Sequence, residues 1–578
     1  MRHLRYIAAI GETDAFGLKR SIQERAIGIT GLEGAFTAPG VALFAQGGRR
    51  APLAHDAGLV LGRIHRRAGA MPCVAAFSPD ETDAVLATRG QSIIDMFWGD
   101  FLAFVVADGS VTVIRPPFSD LPCLHLERGG LHVLASDLAL LKTCLQTRIS
   151  PNWDAIALHL MTSGLRQERT CVEGVSELLG GSRLTLTNSA MSIEPCWSPW
   201  HAAGKRDRRS SEDLADMLWK VARTSVAAQI EDLDHVAVML SGGLDSSFLA
   251  ALVAATGTRM TCVNIGSNDP AGDERHFATA VATALAAPYK EVGRDLAEVD
   301  VTKSLAKGQP RPLARSFAQA SRIARQSLAA SLGAQAILDG GGGDNLFCAM
   351  QSVVPVADRL LMEGLGTGAL RTAAEIAELT EASLFTVLGR AFRRAWFRPA
   401  GYRWPIETTF VTTQATERAG PPCHRWLKAP HGALPGSAGH IGFMIAVENL
   451  LESFDGDIAE WSPLIAMPIV ECALAIPTWR WFERGNNRAI ARRALARHVP
   501  EHVAWRRGKG SPDGFVAQVF ETNRSVLRDL LLDGALAAEG ILDKAAAERV
   551  LSGNGPVRSH EHGQLLKVAD VEAWVRTL

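Results

Sequence analysis

No apolar run in this 578-residue chain approaches the roughly 18–20 residues that a helix needs to cross a bilayer, so no membrane span is expected. Neither sign of charge dominates. Lys and Arg number 60 against 61 Asp and Glu, a net charge of -1. That balance argues against a broad electrostatic footprint for nucleic acid or an anionic membrane. The nine cysteines are scattered, odd in number and without a C-x-x-C pair. This speaks against a disulfide framework or a zinc ribbon, and fits a reducing cytoplasm. The opening "MRHLRYIAAIGETD" is basic, but its apolar stretch is too short for a signal peptide. A cytoplasmic location is therefore expected. Internal repeats and low-complexity tracts are also missing.

What is present is an ordinary globular composition, 47% hydrophobic and 21% charged, in a chain too long for one core, so two or three domains are expected. Residues 1–200 read as short strands broken by turns, among them "VALFAQG", "FLAFVVADGSVTVIR", "CLHLERGGLHVLAS" and "SRLTLTNSAMSIEP". Asp108-Gly109 and Gly129-Gly130 suit hairpins. Few helices are expected there. The polar, basic stretch 199–213 suits a linker, and Ser210 with Asp213 suits the cap of a following helix. Beyond it, "HVAVML", "MTCVNIG" and "AQAILDG" are short, continuous apolar runs alternating with helical segments. They predict buried parallel strands of an α/β sheet. Residues 350–500 read as mostly helical, and the Pro/Gly-rich stretch 419–440 predicts a surface loop or lid.

The turn after "HVAVML" concentrates unusual chemistry: Ser241, Gly242, Gly243, Leu244, Asp245, Ser246 and Ser247. A loop leaving a parallel strand and entering a helix is an anion site, because the helix N-terminus presents free N–H groups and partial positive charge. Glycines let the backbone approach the anion, and the hydroxyls of Ser241, Ser246 and Ser247 add donors. Asp245 would repel phosphate unless Mg²⁺ lies between. A Walker G-K-[ST] ending is missing, so γ-phosphate transfer is not the first reading. Asp344 stands in a second Gly-rich turn after a buried strand. Strand ends of one parallel sheet converge on one edge, so Asp245 and Asp344 can share a Mg²⁺ on bound phosphates.

"SGGLDSS" resembles the pyrophosphate loop of the ATP-pyrophosphatase family, and within it asparagine synthetase and its relatives β-lactam synthetase and the lasso-peptide cyclases. Four further segments follow in the family's order. "NIGSNDPAGDERHFATAVATALAAPYKEV" (264–292) resembles its second strand, acidic turn and helix; "ILDGGGGDNLF" (337–347) resembles its strand ending in G-E-G-x-D-E-L-F. "SPLIAMPIVECALAIP" (462–477) resembles its Pro-Leu segment, and "RGNNRAIARRALARHVPEHVAWRRGKGS" (484–511) its helix and lysine loop. The likeness has specific motifs over 205–511 and is weaker over 1–200. It implies an α+β N-terminal domain over 1–200, a glutaminase-like, Ntn-type β-sandwich, followed by an α/β synthetase domain over 205–578 with an adenine nucleotide alpha hydrolase-like parallel sheet. ATP and Mg²⁺ are the implied cofactors. Ser241, Gly242, Gly243, Asp245 and Ser246 would hold pyrophosphate. The backbone at Met239, Ile265 and Gly340, with Asp339 nearby, would read adenine. Lys509, Asp245 and Asp344 would be catalytic.

Two departures from the family shape the functional expectation. Glutamine-dependent members begin Met-Cys, whereas here position 2 is Arg2 and the next cysteine is Cys73. The glutaminase chemistry is therefore expected to be lost. Gly341 stands where the family has Glu, implying a missing general base and a pocket enlarged by one side chain. Both point to a larger substrate bringing its own amine. The leading expectation is a lasso-peptide cyclase: it adenylates an Asp or Glu side chain of a linear core peptide, and the peptide's N-terminal amine closes a macrolactam. A small-molecule amide synthetase, β-lactam-forming or ammonia-dependent, is the alternative. A non-catalytic ATP-binding or scaffold protein is the third reading, against which the intact Ser241–Ser246, Asp344 and Lys509 set speaks. The aromatic and basic stretches 393–404 and 423–427 are expected to line a peptide groove. A leader-peptide-binding protein and a protease of the same pathway are the expected partners.

Lys509 is flanked by Gly508 and Gly510, a loop able to move onto the nucleotide. Lys509→Ala should cut the rate by roughly 10²–10³, as for loss of an oxyanion contact, with ATP affinity little changed. Calorimetric ATP binding beside single-turnover kinetics checks this; equal losses in both would make Lys509 a ground-state phosphate clamp.

Overall fold

The computed structural model describes all residues except 1–3, 12–16, 68–71, 188–189, 267–272, 314, 452–455, 509–512 and 554–558. Arg2 and Lys509 thus lie outside the described residues. Among those described, no helix is long and apolar enough to cross a membrane.

Twelve strands build the N-terminal half: β1 (Arg5–Ile10), β2 (Glu33–Ala38), β3 (Val41–Gln46), β4 (Arg50–Pro52), β5 (Gly58–Arg66), β6 (Phe97–Ala107), β7 (Ser110–Arg115), β8 (Leu124–Arg128), β9 (Leu131–Ala135), β10 (Ser176–Glu177), β11 (Ser182–Leu186) and β12 (Met191–Pro195). They form two antiparallel sheets, ordered β10-β8-β9-β1-β3-β2 and β12-β11-β7-β6-β5-β4. Side chains alternate across each strand. Tyr6, Ala8, Leu43, Leu61, Phe104 and Val113 meet in the core between the sheets. Ile7, Ala9 and Phe44 turn outward onto helices Leu18–Gly28 and Leu138–Leu145. The other sheet covers its outer face with Pro79–Ala87 and Gln91–Met96. Four layers result, helix, sheet, sheet, helix. Both faces of β1 are buried, which is why "YIAAI" reads as a continuous apolar run. Five helices flank or follow these sheets before residue 200, more than the sequence leads one to expect. They are short, and nearly uniform apolarity hides the helical period of "LALLKTCL".

Helix Ser211–Gln229 follows, with Ser210 accepting from the Asp213 N–H as its cap. The stretch before it is not a plain linker, since Pro199–Lys205 forms a helix capped by Ser198. The five strands β13 (His235–Met239), β14 (Arg259–Ile265), β15 (Tyr289–Val292), β16 (Ala336–Leu338) and β17 (Ala459–Trp461) are all parallel, in the order β15-β14-β13-β16-β17. The chain winds outward from β13 to β15, then returns to the other side of β13. The reversal between β13 and β16 is a topological switch point, where doubly wound sheets open a crevice at their strand ends.

The stretch 419–440 is no lid. His424, Trp426 and Leu434 are buried, and helix Pro435–Val447 begins inside it. Trp426 packs on Trp197 and Phe118, and His424 Nε2 lies 3.1 Å from Glu448. The prolines and glycines mark turns in a packed segment. Trp404 is likewise buried, while Trp396 and Phe397 are exposed.

One buried charge cluster ties the two halves together. Glu177 on β10 meets Arg115 at 2.6 Å, Arg166 at 2.5 Å, and Arg311 from the α/β half. Burial alone would raise its carboxyl pKa, but the guanidiniums of Arg166, Arg311 and Arg115 outweigh it and hold the group well below the usual range. Removing one partner of such a cluster leaves charge uncompensated. Glu177→Gln should therefore cost about 3–5 kcal/mol, read by chemical denaturation. The folded pKa is depressed, so this stabilisation is complete above the ordinary Glu value of 4.5 and is lost as pH falls through the lower folded value.

Candidate active site

Two Gly-rich turns flank the switch point and touch each other. The first leaves β13 and enters helix Leu244–Ala254. Gly242 has φ +77°, and a Cβ there would lie 2.6 Å from the Ala278 backbone nitrogen, so only glycine fits. Ser241 Oγ lies 3.1 Å from Ser246 Oγ and accepts from the Gly243 N–H at 3.3 Å. The helix has no side-chain cap, which leaves its first turn facing the crevice as an anion site. The second turn runs from Asp339 to Gly343 after β16. A Cβ at Gly340 would meet the Ser246 nitrogen at 2.7 Å, and one at Gly343 would meet the Asp245 Cβ at 2.5 Å. Glycine at both positions lets the second turn lie directly on the first.

A cleft of about 530 Å³ opens there. Met239, Ser241, Gly243, Asp245, Ser246, Ile265, Asp339, Gly340 and Asp344 all line it. Gly242 is set back against helix Arg275–Ala284. Lys509 lies outside the described residues, and its neighbour Gly508 lines the cleft. None of the residues 393–404 or 423–427 lines this cleft or the larger cavity described below. The groove expected of them is not formed there, because Trp404 and Trp426 serve the core.

The cleft also holds Arg488, Arg492 and Asn264, which sequence reasoning passed over, and Arg506 beside the lysine loop. Arg488 Nη1 contacts Asp344 and lies 3.3 Å from Asp245, joining the two carboxylates through one guanidinium. It adopts φ +60° at the start of helix Ala489–Leu495, a strained backbone of the kind that collects at functional sites. Nothing local distinguishes it from the other arginines of 484–511. Arg492 is buried and donates to the carbonyls of Asn487, Ala504 and Arg506. Burial, reinforced by the charge of Arg488, lowers its pKa to about 10, so it stays cationic at neutral pH. Arg506 pairs with Glu274, stacks over Phe277 and keeps a buried Nη1 without a partner. Asn264 donates to the Leu240 carbonyl at 2.8 Å and locks the ends of β13 and β14. Its signal was legible: a polar residue inside an apolar strand.

Arg325 and Arg507 also line the cleft. Arg325, Arg506 and Arg507 are paired with Glu460, Glu274 and Glu378, which leaves Arg492, among the described residues, as the arginine held by carbonyls alone. The uncapped start of helix Leu244–Ala254, the Arg492 guanidinium and the orphaned Arg506 nitrogen together suit an anion. The donor set also fits a divalent cation. Asp245 and Asp344 already converge on one positive group, the arrangement a Mg²⁺ bridging them would need. Gly341 departs from expectation. A Cβ there would meet Ser462 Oγ at 2.5 Å and Asp339 Oδ1 at 2.9 Å, because the Ser462 hydroxyl donates to Asp339. The space beside Gly341 is filled by that contact and is not an open extension of the pocket.

Among family descriptions, asparagine synthase matches residues 219–405 and 462–576, more than half of the chain. The chain belongs to the asparagine synthase family. Members are ATP-dependent amide ligases, and the matched segments contain both Gly-rich turns, the Arg488 helix and Lys509. No curated protein matches the chain significantly. Solved structures that it resembles include an allosteric regulatory enzyme of purine biosynthesis (11% identity, 50% of this chain and 80% of that one, TM-score 0.20). Another is the glutamine phosphoribosylpyrophosphate amidotransferase from B. subtilis complexed with ADP and GMP (12% identity, 59% and 77%, TM-score 0.20). At such TM-scores neither likeness carries an argument.

Asp245→Asn and Asp344→Asn should each lower ATP-dependent pyrophosphate release by roughly 10² or more, the scale of losing charge aimed at a developing anion. Gly343→Ala should lower it too, by pushing Asp245 aside. Near-wild-type rates in both Asn variants at ordinary Mg²⁺ would refute the two-carboxylate site.

Proposed function

We propose that this family member is a macrolactam-forming peptide cyclase of the lasso-peptide type: it activates an Asp or Glu side chain of a linear peptide with ATP and joins it to the peptide's own N-terminal amine. The observation that carries this reading is a second cavity of about 740 Å³ between the sandwich and the α/β half. It meets the nucleotide-sized cleft at Leu450, which lines both. A volume at the upper end of small-molecule sites, beside the cleft, suits a substrate of several residues better than ammonia.

In this mechanism the first turn of Leu244–Ala254, with Ser241 and Ser246, holds the β- and γ-phosphates of ATP. Asp245 and Asp344 would hold Mg²⁺, which when bound neutralises phosphate charge. The substrate carboxylate attacks the α-phosphorus, the bond to the bridging oxygen breaks, and pyrophosphate leaves. The α-amine then attacks the acyl adenylate, loses a proton, and AMP departs. Lys509, by its place in the family motif, stabilises the developing oxyanion. Arg492 keeps a positive charge in the cleft. Holding both ends of one chain makes the second step effectively unimolecular. A leader-peptide-binding protein would deliver the precursor, and a protease would expose its amine. Both are partners proposed with this reading, as is a cytoplasmic setting.

Incubation with ATP, Mg²⁺ and a candidate linear peptide should give AMP, pyrophosphate and a product lighter by one water that resists aminopeptidase. ADP and phosphate as products would overturn the adenylation step. Amide formation on free small acids, with peptides inert, would move the assignment to a small-molecule amide synthetase.

A further inference from the structure

The larger cavity has a chemistry of its own. Strands β5 and β6 bring Arg63 opposite Asp100 and His65 opposite Trp98, and all four line the cavity. Its cations are already engaged: Arg49 and Arg63 both bind Asp232, and Arg63 also donates to the Gln229 carbonyl. Arg115, deeper behind the wall, is held by Glu177. Asp100 and Asp120, like the exposed Asp457, line the wall without such a partner among the described residues. Asp100 accepts from the Asp120 N–H at 3.2 Å, and no cation lies within ion-pair distance of either side chain among the described residues. Burial raises the Asp100 pKa to about 6, and burial together with the charge of Asp100 raises that of Asp120. The pair is half-buried on the wall of a cavity that opens to solvent.

Two further features belong to the wall. His65 is 2% exposed, its Nδ1 has no hydrogen-bond partner, and a ring nitrogen lies within 4.8 Å of ligand atoms of Cys73 and Glu231 behind the cavity. Burial, with Arg63 and Arg49 nearby, lowers its pKa to about 4, so the ring is neutral and can accept a hydrogen bond. The aromatic rings of Trp98, Phe118 and Trp461 supply apolar wall and faces that attract a cation. A primary ammonium has three donors and no acceptor. The Asp100–Asp120 pair, whose raised pKa values favour taking up a cation as it ionises, and the aromatic wall match that inventory. The partition from the cleft is thin: Ser462 lines the cavity, Asp339 lines the cleft, and the two are hydrogen-bonded.

We propose that the inter-lobe cavity is the binding site for the amine-bearing part of the substrate, a primary ammonium on an apolar or aromatic body, with its charge held by Asp100 and Asp120. The inference rests on the ligase reading only in naming that amine as the acceptor; the binding site itself is tested without turnover. The probe is 2-phenylethylamine, titrated into the full-length protein by calorimetry beside its neutral N-acetyl derivative. The amine should bind, and N-acetylation should weaken binding by about tenfold or more, as expected when a buried charge loses its partner. Saturating ATP should not displace it. Asp100→Asn combined with Asp120→Asn should bring a loss of similar size. The comparison of the two probes needs only the unaltered protein, so it decides the charge requirement even if the double variant misfolds. Equal binding of both probes, no binding of the amine, displacement by ATP, or full binding by a folded double variant would each overturn the assignment. Failure to release pyrophosphate from ATP, with amine binding intact, would count against the proposed function and leave this site standing.

Discussion

The site depends on how closely two backbone turns can approach. Parallel β13 and β16 are hydrogen-bonded neighbours, so the turns leaving them emerge side by side. They can touch only because Gly340 and Gly343 have no side chain to strike Ser246 and Asp245. That contact sets Asp344, one residue further on, close enough to Asp245 for a single guanidinium to contact both. A methyl group at either glycine would separate the carboxylates by displacing a backbone or an aspartate, and a misplacement of about 1 Å can cost a hundredfold in rate. The strand pairing supplies coarse placement, and the missing side chains supply the last ångström.

Around this contact the protein arranges charge in separate compartments. The cleft at the strand ends offers an uncapped helix start and the carbonyl-held Arg492, while its other arginines are paired with carboxylates. The cavity beside it keeps its arginines on Asp232 and leaves Asp100 and Asp120 unpaired. A phosphate at the helix start and an ammonium at the Asp100–Asp120 pair would lie on opposite sides of a wall bridged by the Ser462–Asp339 hydrogen bond. For a reaction that joins a carboxylate activated on phosphate to an amine, such sorting suits the ligands before any chemistry begins. The Glu177 cluster serves the same end at a distance. It joins Arg115 and Arg166 of the first half to Arg311 of the second, holding together the two bodies whose junction is the cavity.

Much of this was legible in order and little of it in space. Gly242, Gly243, Asp245 and Asp344 stood out because glycines and acids clustered after apolar strands are rare without a reason. Arg488 did not, since its role comes from a left-handed backbone and two carboxylates distant in sequence. Position 341 shows the limit from the other side. A missing side chain reads as added space, yet Ser462, more than a hundred residues later, fills that space by binding Asp339. The Pro/Gly-rich stretch 419–440 misled for a similar reason. Those residues permit a loop but do not require exposure, and Trp426 has aromatic partners on the sandwich.

What the sequence determined by itself was the set of local backbone states and the chemistry able to occupy them: apolar strands, glycine turns, a helix start rich in hydroxyls, and a carboxylate beside each turn. These follow from nearest-neighbour sterics and periodicity, which act over a few residues. Only the tertiary structure decided which turns meet, which arginines neutralise which acids, and that a cavity lined by unpaired carboxylates lies beside the nucleotide cleft. Such features depend on desolvation and on distances between residues far apart in the chain, and neither quantity exists until the two halves have packed.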